Sequence, residues 1–273
     1  MTNNFMCYPE WKEKALTFSY DDGNVKDRDL VALFNKYGVK GTFNLNSEIF
    51  AENGKPNISK NEVKDLYKGH EVAVHTVTHP RLELLPSNLI TREITADKAS
   101  LEALSGNIVQ GMAYPFGTYN DEVVEICEKA GIKYSRTVHS THNFEVTYDW
   151  LRLPATCHHG DDKLFELAEK FVAGEPSKEW FKYTGWLFYV WGHSYEFRTE
   201  EDWLRMEGFV SMVANREDTW YATNIEIYEY VQAYRNLVYS QDASKVYNPS
   251  ALDVYLIHAG QKYVVKPGET VTF

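Results

Sequence analysis

Cys7, Cys127 and Cys157 are the only cysteines in the 273-residue chain, and no two of them form a C-x-x-C pair. An odd, scattered trio supports neither a disulfide framework nor a thiolate zinc site, so all three are expected to be free thiols. Also missing is any run of about 18 consecutive apolar residues, which excludes a membrane-spanning helix on hydropathy. Met1 to Glu10 contains no basic segment followed by an apolar stretch; no export signal is visible, and a cytoplasmic location is expected if the chain is full length. Basic residues are in deficit, with 28 Lys and Arg against 39 Asp and Glu, for a formal net charge of -11. Such a surface repels phosphate backbones and anionic lipid, so nucleic acid is not expected as a partner. There is no internal repeat or low-complexity tract, and nothing specifies an oligomeric state.

What is present is an ordinary globular composition, with 44% hydrophobic residues and enough aromatics (7 Trp, 19 Tyr) to supply flat faces for sugar rings as well as a core. Short β-rich runs alternate with stretches of helical period. Strands are expected at Ala15 to Tyr20, Val39 to Asn44, Glu71 to His75, Gln110 to Tyr114, Ile132 to Val138, Leu151 to Cys157 and Trp186 to Gly192. Helices are expected at Lys26 to Tyr37, Ser59 to Tyr67, Leu89 to Leu104, Asp121 to Ala130, Lys163 to Val172, Glu200 to Val213 and Asn224 to Val238. The alternation implies a parallel sheet, read here as a distorted (β/α)7-8 barrel spanning residues 1–240. Beyond it, residues 241–273 carry the turn signals Ala259-Gly260-Gln261-Lys262 and Pro267-Gly268, expected as a short C-terminal β appendage packed on the barrel.

Two motifs fall where expected strands end. Tyr20-Asp21-Asp22-Gly23 puts two carboxylates beside a glycine that permits a sharp turn, so one could hold a metal while the other handles protons. By itself this is a common Asp-Gly turn. His75-Thr76-Val77-Thr78-His79-Pro80 also follows a strand-like run, and Pro80 with the β-branched residues argues against a helix there. In an extended chain the two imidazoles would stand about 13 Å apart, too far to share an ion, so the chain must turn between them if both are ligands. Two histidines and a carboxylate leave positions open for water and substrate, as catalytic zinc sites do.

Thr17-Phe18-Ser19-Tyr20-Asp21-Asp22-Gly23, His75 to His79 and Ala113-Tyr114-Pro115-Phe116-Gly117, in this order and spacing, resemble the polysaccharide deacetylase family (NodB-homology domain, carbohydrate esterase family 4) over roughly residues 12–240. Trp191-Gly192-His193-Ser194 stands in place of that family's last motif. The resemblance implies a metal-dependent hydrolase of non-peptide C–N bonds that removes N-acetyl groups from an N-acetylglucosamine-containing glycan through a metal-activated water. It implies Asp21 as general base, Asp22, His75 and His79 as metal ligands, His193 as general acid and the Phe116 backbone amide as oxyanion donor. One divalent ion is expected, zinc first, with cobalt or nickel accepted by the same donors. Tyr114, Pro115, Trp150, Trp191 and Tyr195 are candidates for contact with the acetylated carbohydrate.

The family's third motif usually carries an arginine two residues before its proline, where it orients the base; here that position is Ala113. Arg136 or Arg152 could reach the same carboxylate, although both read more simply as rim arginines. His158-His159 invites a second metal, but adjacent side chains on a strand face opposite ways, which favours structural roles. Alternatives are an O-acetyl esterase, a small cyclic-amide hydrolase, or a silent sugar-binding barrel.

Overall fold

The computed structural model describes residues 4–179 and 183–273. Ten strands and seven helices make up its main body: β1 (Asn4–Cys7), β2 (Lys14–Asp21), α1 (Asp27–Tyr37), β3 (Gly41–Leu45), α2 (Val63–Leu66), β4 (Glu71–Val74), α3 (Ser87–Ser105), β5 (Gly111–Ala113), α4 (Asp121–Lys129), β6 (Tyr134–Ser140), β7 (Leu153–Ala155), β8 (Cys157–His158), α5 (Leu164–Ala173), β9 (Trp186–His193), α6 (Glu200–Val213), β10 (Thr219–Tyr221) and α7 (Asn224–Arg235). All pairings within the large sheet are parallel, in the order β7-β6-β5-β4-β3-β2-β9-β8. β7 and β8 belong to one extended segment interrupted at Thr156: its first half pairs with β6 and its second with β9, so the two edges of the sheet meet and the barrel closes. The barrel is distorted because only a single 3-10 turn, Trp150–Arg152, separates β6 from β7 and α2 is a single turn.

Each expected strand and helix appears within a few residues of its expected bounds. β10 was not foreseen. It pairs with Lys14–Leu16 of β2, below the point where β3 joins at Phe18, and leads directly into α7, whose Thr223 side chain caps the helix. The start of α7 plugs this end of the barrel: Asn224 and Ile225 give their backbone N–H groups to Thr42 Oγ1 (3.1 Å) and Glu71 Oε2 (3.0 Å), and the Asn224 side chain joins Thr17 and Tyr189. A helix N-terminus offers free N–H donors, and buried acceptors inside the barrel satisfy them.

The C-terminal residues form short antiparallel strands: β11 (Val238–Tyr239), β12 (Lys245–Tyr247), β13 (Val254–His258), β14 (Gln261–Val265) and β15 (Thr270–Thr272). The Ala259-Gly260 turn joins β13 to β14. Two strands from before residue 240 pair into these sheets: β1 lies against β13 and β11 against β12, so both ends of the chain contribute to the appendage. All three cysteines are buried free thiols, and no helix among the described residues is long and apolar enough to cross a membrane.

Burial pushes the Glu71 carboxyl up to about 7, against bonds from Ile225, Tyr134 and Thr42 that favour its charge. An acid that holds its proton more tightly folded than unfolded contributes stability that is whole below its ordinary value of 4.5 and is lost as the pH rises through about 7. Glu71→Gln is therefore expected to flatten the pH dependence of the melting temperature across that window. An unchanged slope in calorimetry would mean that Glu71 does not titrate there.

Candidate metal centre and active site

β2 delivers Asp21 into the barrel and ends in two successive left-handed residues, Asp22 (φ 75°) and Gly23 (φ 61°). Aspartate is among the few side chains that tolerate that region, and glycine adopts it without penalty, so the strand can turn sharply here. Asp22 thereby faces the loop after β4, where the chain turns between the two histidines as their sharing of an ion requires: Thr76 (φ 70°) and His79 (φ 59°) are both left-handed. His75 and His79 end with ring centroids 4.7 Å apart.

His75 Nε2 lies 3.6 Å and His79 Nε2 3.8 Å from Asp22 Oδ1. Ligands held about 2 Å from one ion stand roughly 3.4 Å apart in a tetrahedron, so each imidazole is within a few tenths of an ångström of a ligand's separation from Asp22, and the three donor atoms all lie within 4.8 Å of one another. The tautomer also fits: His75 Nδ1 meets the Ala113 carbonyl at 2.8 Å, which places the ring's proton there and leaves the Nε2 lone pair facing Asp22. Burial pulls the pKa of both histidines down, keeping them neutral, as ligands must be, and burial raises that of Asp22. The ligand loop is held from behind by residues the sequence reading passed over. Asp97 of α3 accepts the backbone N–H groups of His75 (3.1 Å) and Ser47 (2.7 Å), and Asn46 holds the carbonyls of His75 and Thr76. A signal for Asp97 existed: it sits in the buried stripe Ile90, Ile94, Leu101 of α3, where an apolar residue is the rule.

Asp21 is 3% exposed and accepts the Arg136 guanidinium on Oδ2 and Asn44 Nδ2 on Oδ1 at 2.9 Å. Burial alone would raise its pKa; Arg136, His75 and His193 outweigh that and lower it, so Asp21 stays ionised. Arg136 is wholly buried, its guanidinium 4.4 Å above the Trp191 ring. The reading of Arg136 as a rim arginine is thus corrected. Ala113 and Arg136 are register partners on β5 and β6, and in-register residues of parallel strands share a face. The arginine expected at Ala113 is supplied one strand further round. Arg152 is a surface residue, paired with Asp121 (2.6 Å) and Asp149 (3.0 Å).

His193, at the end of β9, places Nε2 3.9 Å from Asp21 Oδ2. Phe116 sits at φ 59° with its ring 4.6 Å from His79 and beneath Arg81, and Tyr195 lies 4.9 Å from His193. Other expected contacts do not reach the site. Tyr114 is 1% exposed and spends its hydroxyl on the Leu151 carbonyl at 2.8 Å, and Pro115 is buried beneath the turn. Trp150 precedes β7 and packs on Tyr228 of α7, at the end of the barrel opposite Asp22, His75 and His79. Trp191 lies beneath Arg136 as support. The opposed facing expected for His158 and His159 also fails: the strand ends at His158, and the two rings meet at 4.4 Å.

Removing Arg136 leaves a buried carboxylate unpaired, so Arg136→Ala is expected to cost about 3–5 kcal/mol of unfolding free energy in urea titration. Adding Ala113→Arg to that variant should recover part of the loss; no recovery would show that the two positions do not serve the same carboxylate.

Residues 9–135 match the polysaccharide deacetylase family. A Bacillus subtilis protein named for polysaccharide deacetylation is 24% identical over 127 residues, 46% of this chain and 45% of that protein. A chitooligosaccharide deacetylase of Bradyrhizobium is 27% identical over 122 residues, 44% and 53% of the two chains. The match thus spans about half the length of these curated relatives. Among solved structures, one described as a polysaccharide deacetylase from Mycobacterium smegmatis superposes with a TM-score of 0.61 at 16% identity, covering 84% of this chain and 93% of that one. The carbohydrate esterase family 4 domain of a xylanase from the hindgut metagenome of Trinervitermes trinervoides gives 0.52 at 14% identity, covering 81% and 91%. Both share the barrel. Over residues 9–135 the chain is thus similar to the polysaccharide deacetylase family, and its barrel is the one these solved structures share.

Proposed function

We propose that the protein is a metal-dependent deacetylase that removes N-acetyl groups from an N-acetylglucosamine-containing glycan and releases acetate. One observation carries this reading: an arginine-held carboxylate, Asp21, lies beside a separate three-donor cluster, Asp22, His75 and His79, with His193 across from it. Asp22, His75 and His79 would hold the ion, zinc first, with cobalt or nickel accepted by the same donors. When bound, a divalent ion there lowers the pKa of a water and polarises the acetyl carbonyl.

The chain's own groups divide the proton work. Asp21, kept ionised by Arg136, accepts a proton from the attacking water. His193 Nε2 delivers a proton to the departing nitrogen, producing a free amine. The Phe116 amide donates to the developing oxyanion, a type of contact worth about 3–4 kcal/mol in other enzymes. Tyr195 (39% exposed) and Phe116 (50% exposed) flank these groups and offer flat faces to a sugar ring. A silent sugar-binding barrel has little to recommend it, since the base, its cation and all three donors are in place. The named activity of the Bradyrhizobium relative supports an amide substrate.

Chelation is expected to abolish acetate release from chitooligosaccharides, and zinc or cobalt to restore it; turnover that survives chelation would refute the metal assignment. Asp21→Asn should retain a stoichiometric ion by atomic emission while losing at least a hundredfold in kcat, on the order of a general-base contribution. Acetylated xylan assayed beside the glucosamine oligomers tests the ester alternative, which prevails if xylan is the better substrate.

A further inference from the structure

Three imidazoles converge on a single carboxylate oxygen beside the site. Glu196 Oε2 lies 3.0 Å from His158 Nε2, 3.3 Å from His193 Nδ1 and 3.4 Å from His159 Nε2, and it accepts the His193 backbone N–H at 3.0 Å. His158, His159 and Glu196 are spaced closely enough to hold an ion, so a second metal is the first reading to weigh. The proton positions argue against it. His158 Nδ1 accepts the Gly160 N–H at 3.0 Å, which engages that lone pair and puts the ring's proton on Nε2, facing Glu196. A ring that ligates through Nε2 needs the reverse arrangement, with Nδ1–H turned to an acceptor, as His75 has with Ala113.

His159 is the inert member. Its ring stacks against both Tyr20 (5.6 Å) and Phe197 (4.6 Å), and burial, then His158, pulls its pKa down to about 3, so it is neutral at working pH. It packs so closely on Gly192 that a Cβ there would lie 2.0 Å from Nδ1, and glycine at that position admits the ring. The contest for Glu196 is therefore between His158 and His193.

We propose that Glu196 is a positioning residue for His193, and that His158 competes with His193 for it, so that the His158–Glu196–His193 cluster sets the proton affinity of the His193 ring. The inference rests on the reading of His193 as proton donor and extends it. Glu196 on Nδ1 turns Nε2 towards Asp21. The titratable and charged groups around His193 are Asp21 on β2 and Asp22 just after it, His79 after β4, Arg136 behind Asp21 on β6, His158 at the end of β8 and His159 after it, Arg205 of α6 on the His159 carbonyl, and Tyr195 and Glu196 on its own loop. Burial lowers the pKa of His193, and Glu196 with Asp21 more than reverses this, leaving it above its ordinary value. Burial raises that of Glu196, and the histidines hold it far below the usual carboxylate range.

The test is the pH profile of kcat for the zinc-loaded enzyme on chitooligosaccharides, with an NMR titration of the ¹⁵N-labelled His193 ring alongside. Glu196→Gln is expected to move the alkaline limb, and the His193 titration, to lower pH by about one unit. His158→Phe, which removes the competing donor and keeps an aromatic against Trp191, is expected to move both to higher pH. A merely structural role would lower kcat at every pH without opposed shifts, so shifts of the same sign, or none, overturn the proposal. Two zinc equivalents in the parent protein that fall to one in Glu196→Gln would overturn it in favour of the second metal. If Glu196→Gln does not fold, the upward shift in His158→Phe decides. Retention of the alkaline limb in His193→Gln would refute the proton-donor reading alone, since the ring titration reports Glu196 independently.

Discussion

The buried pair of Asp21 and Arg136 is the interaction on which the rest of the site depends. A carboxylate taken out of water stays charged only if a cation compensates it, and a cation as buried as Arg136 persists only beside an anion. Each group makes the other tolerable. Because Asp21 rides on β2 and Arg136 on β6, the pair spans the interior and ties together strands that are not neighbours. Trp191, on a third strand, lies beneath the guanidinium at 4.4 Å and supports it.

Closure of the barrel has chemical consequences. The segment through Thr156 seals the gap between β6 and β9 and carries His158 and His159 against the loop after β9. Without that closure Glu196 would lose His158 and His159 and keep only its local contact with His193. Asp27 accepts both Tyr67 and Ser194, so α1 anchors the start of the same loop. At the opposite end, α7 fills the barrel with hydrogen-bonded polar groups, away from the end bearing Asp21, Asp22, His75 and His79.

Strand and helix positions were legible because hydrophobic period and glycine stops are local properties. The same holds for Asp21, Asp22, His75 and His79, which sit at strand ends in short motifs. β1 and β10 were not legible: each has only a few residues, and each becomes a strand through a partner far along the chain. Tyr114 and Trp150 misled for a related reason, since an aromatic beside a motif gives no sign of which end or face it will occupy.

By itself, then, the sequence determined the alternation of elements, the donor types and the requirement for a turn between His75 and His79. Only tertiary structure decided that Arg136 serves Asp21, that Asp97 braces the ligand loop and that Glu196 gathers three histidines. The physical reason is one of range. Periodicity and turn chemistry act over a few residues, whereas a buried charge finds its partner through strand register, and register is settled only when the sheet closes.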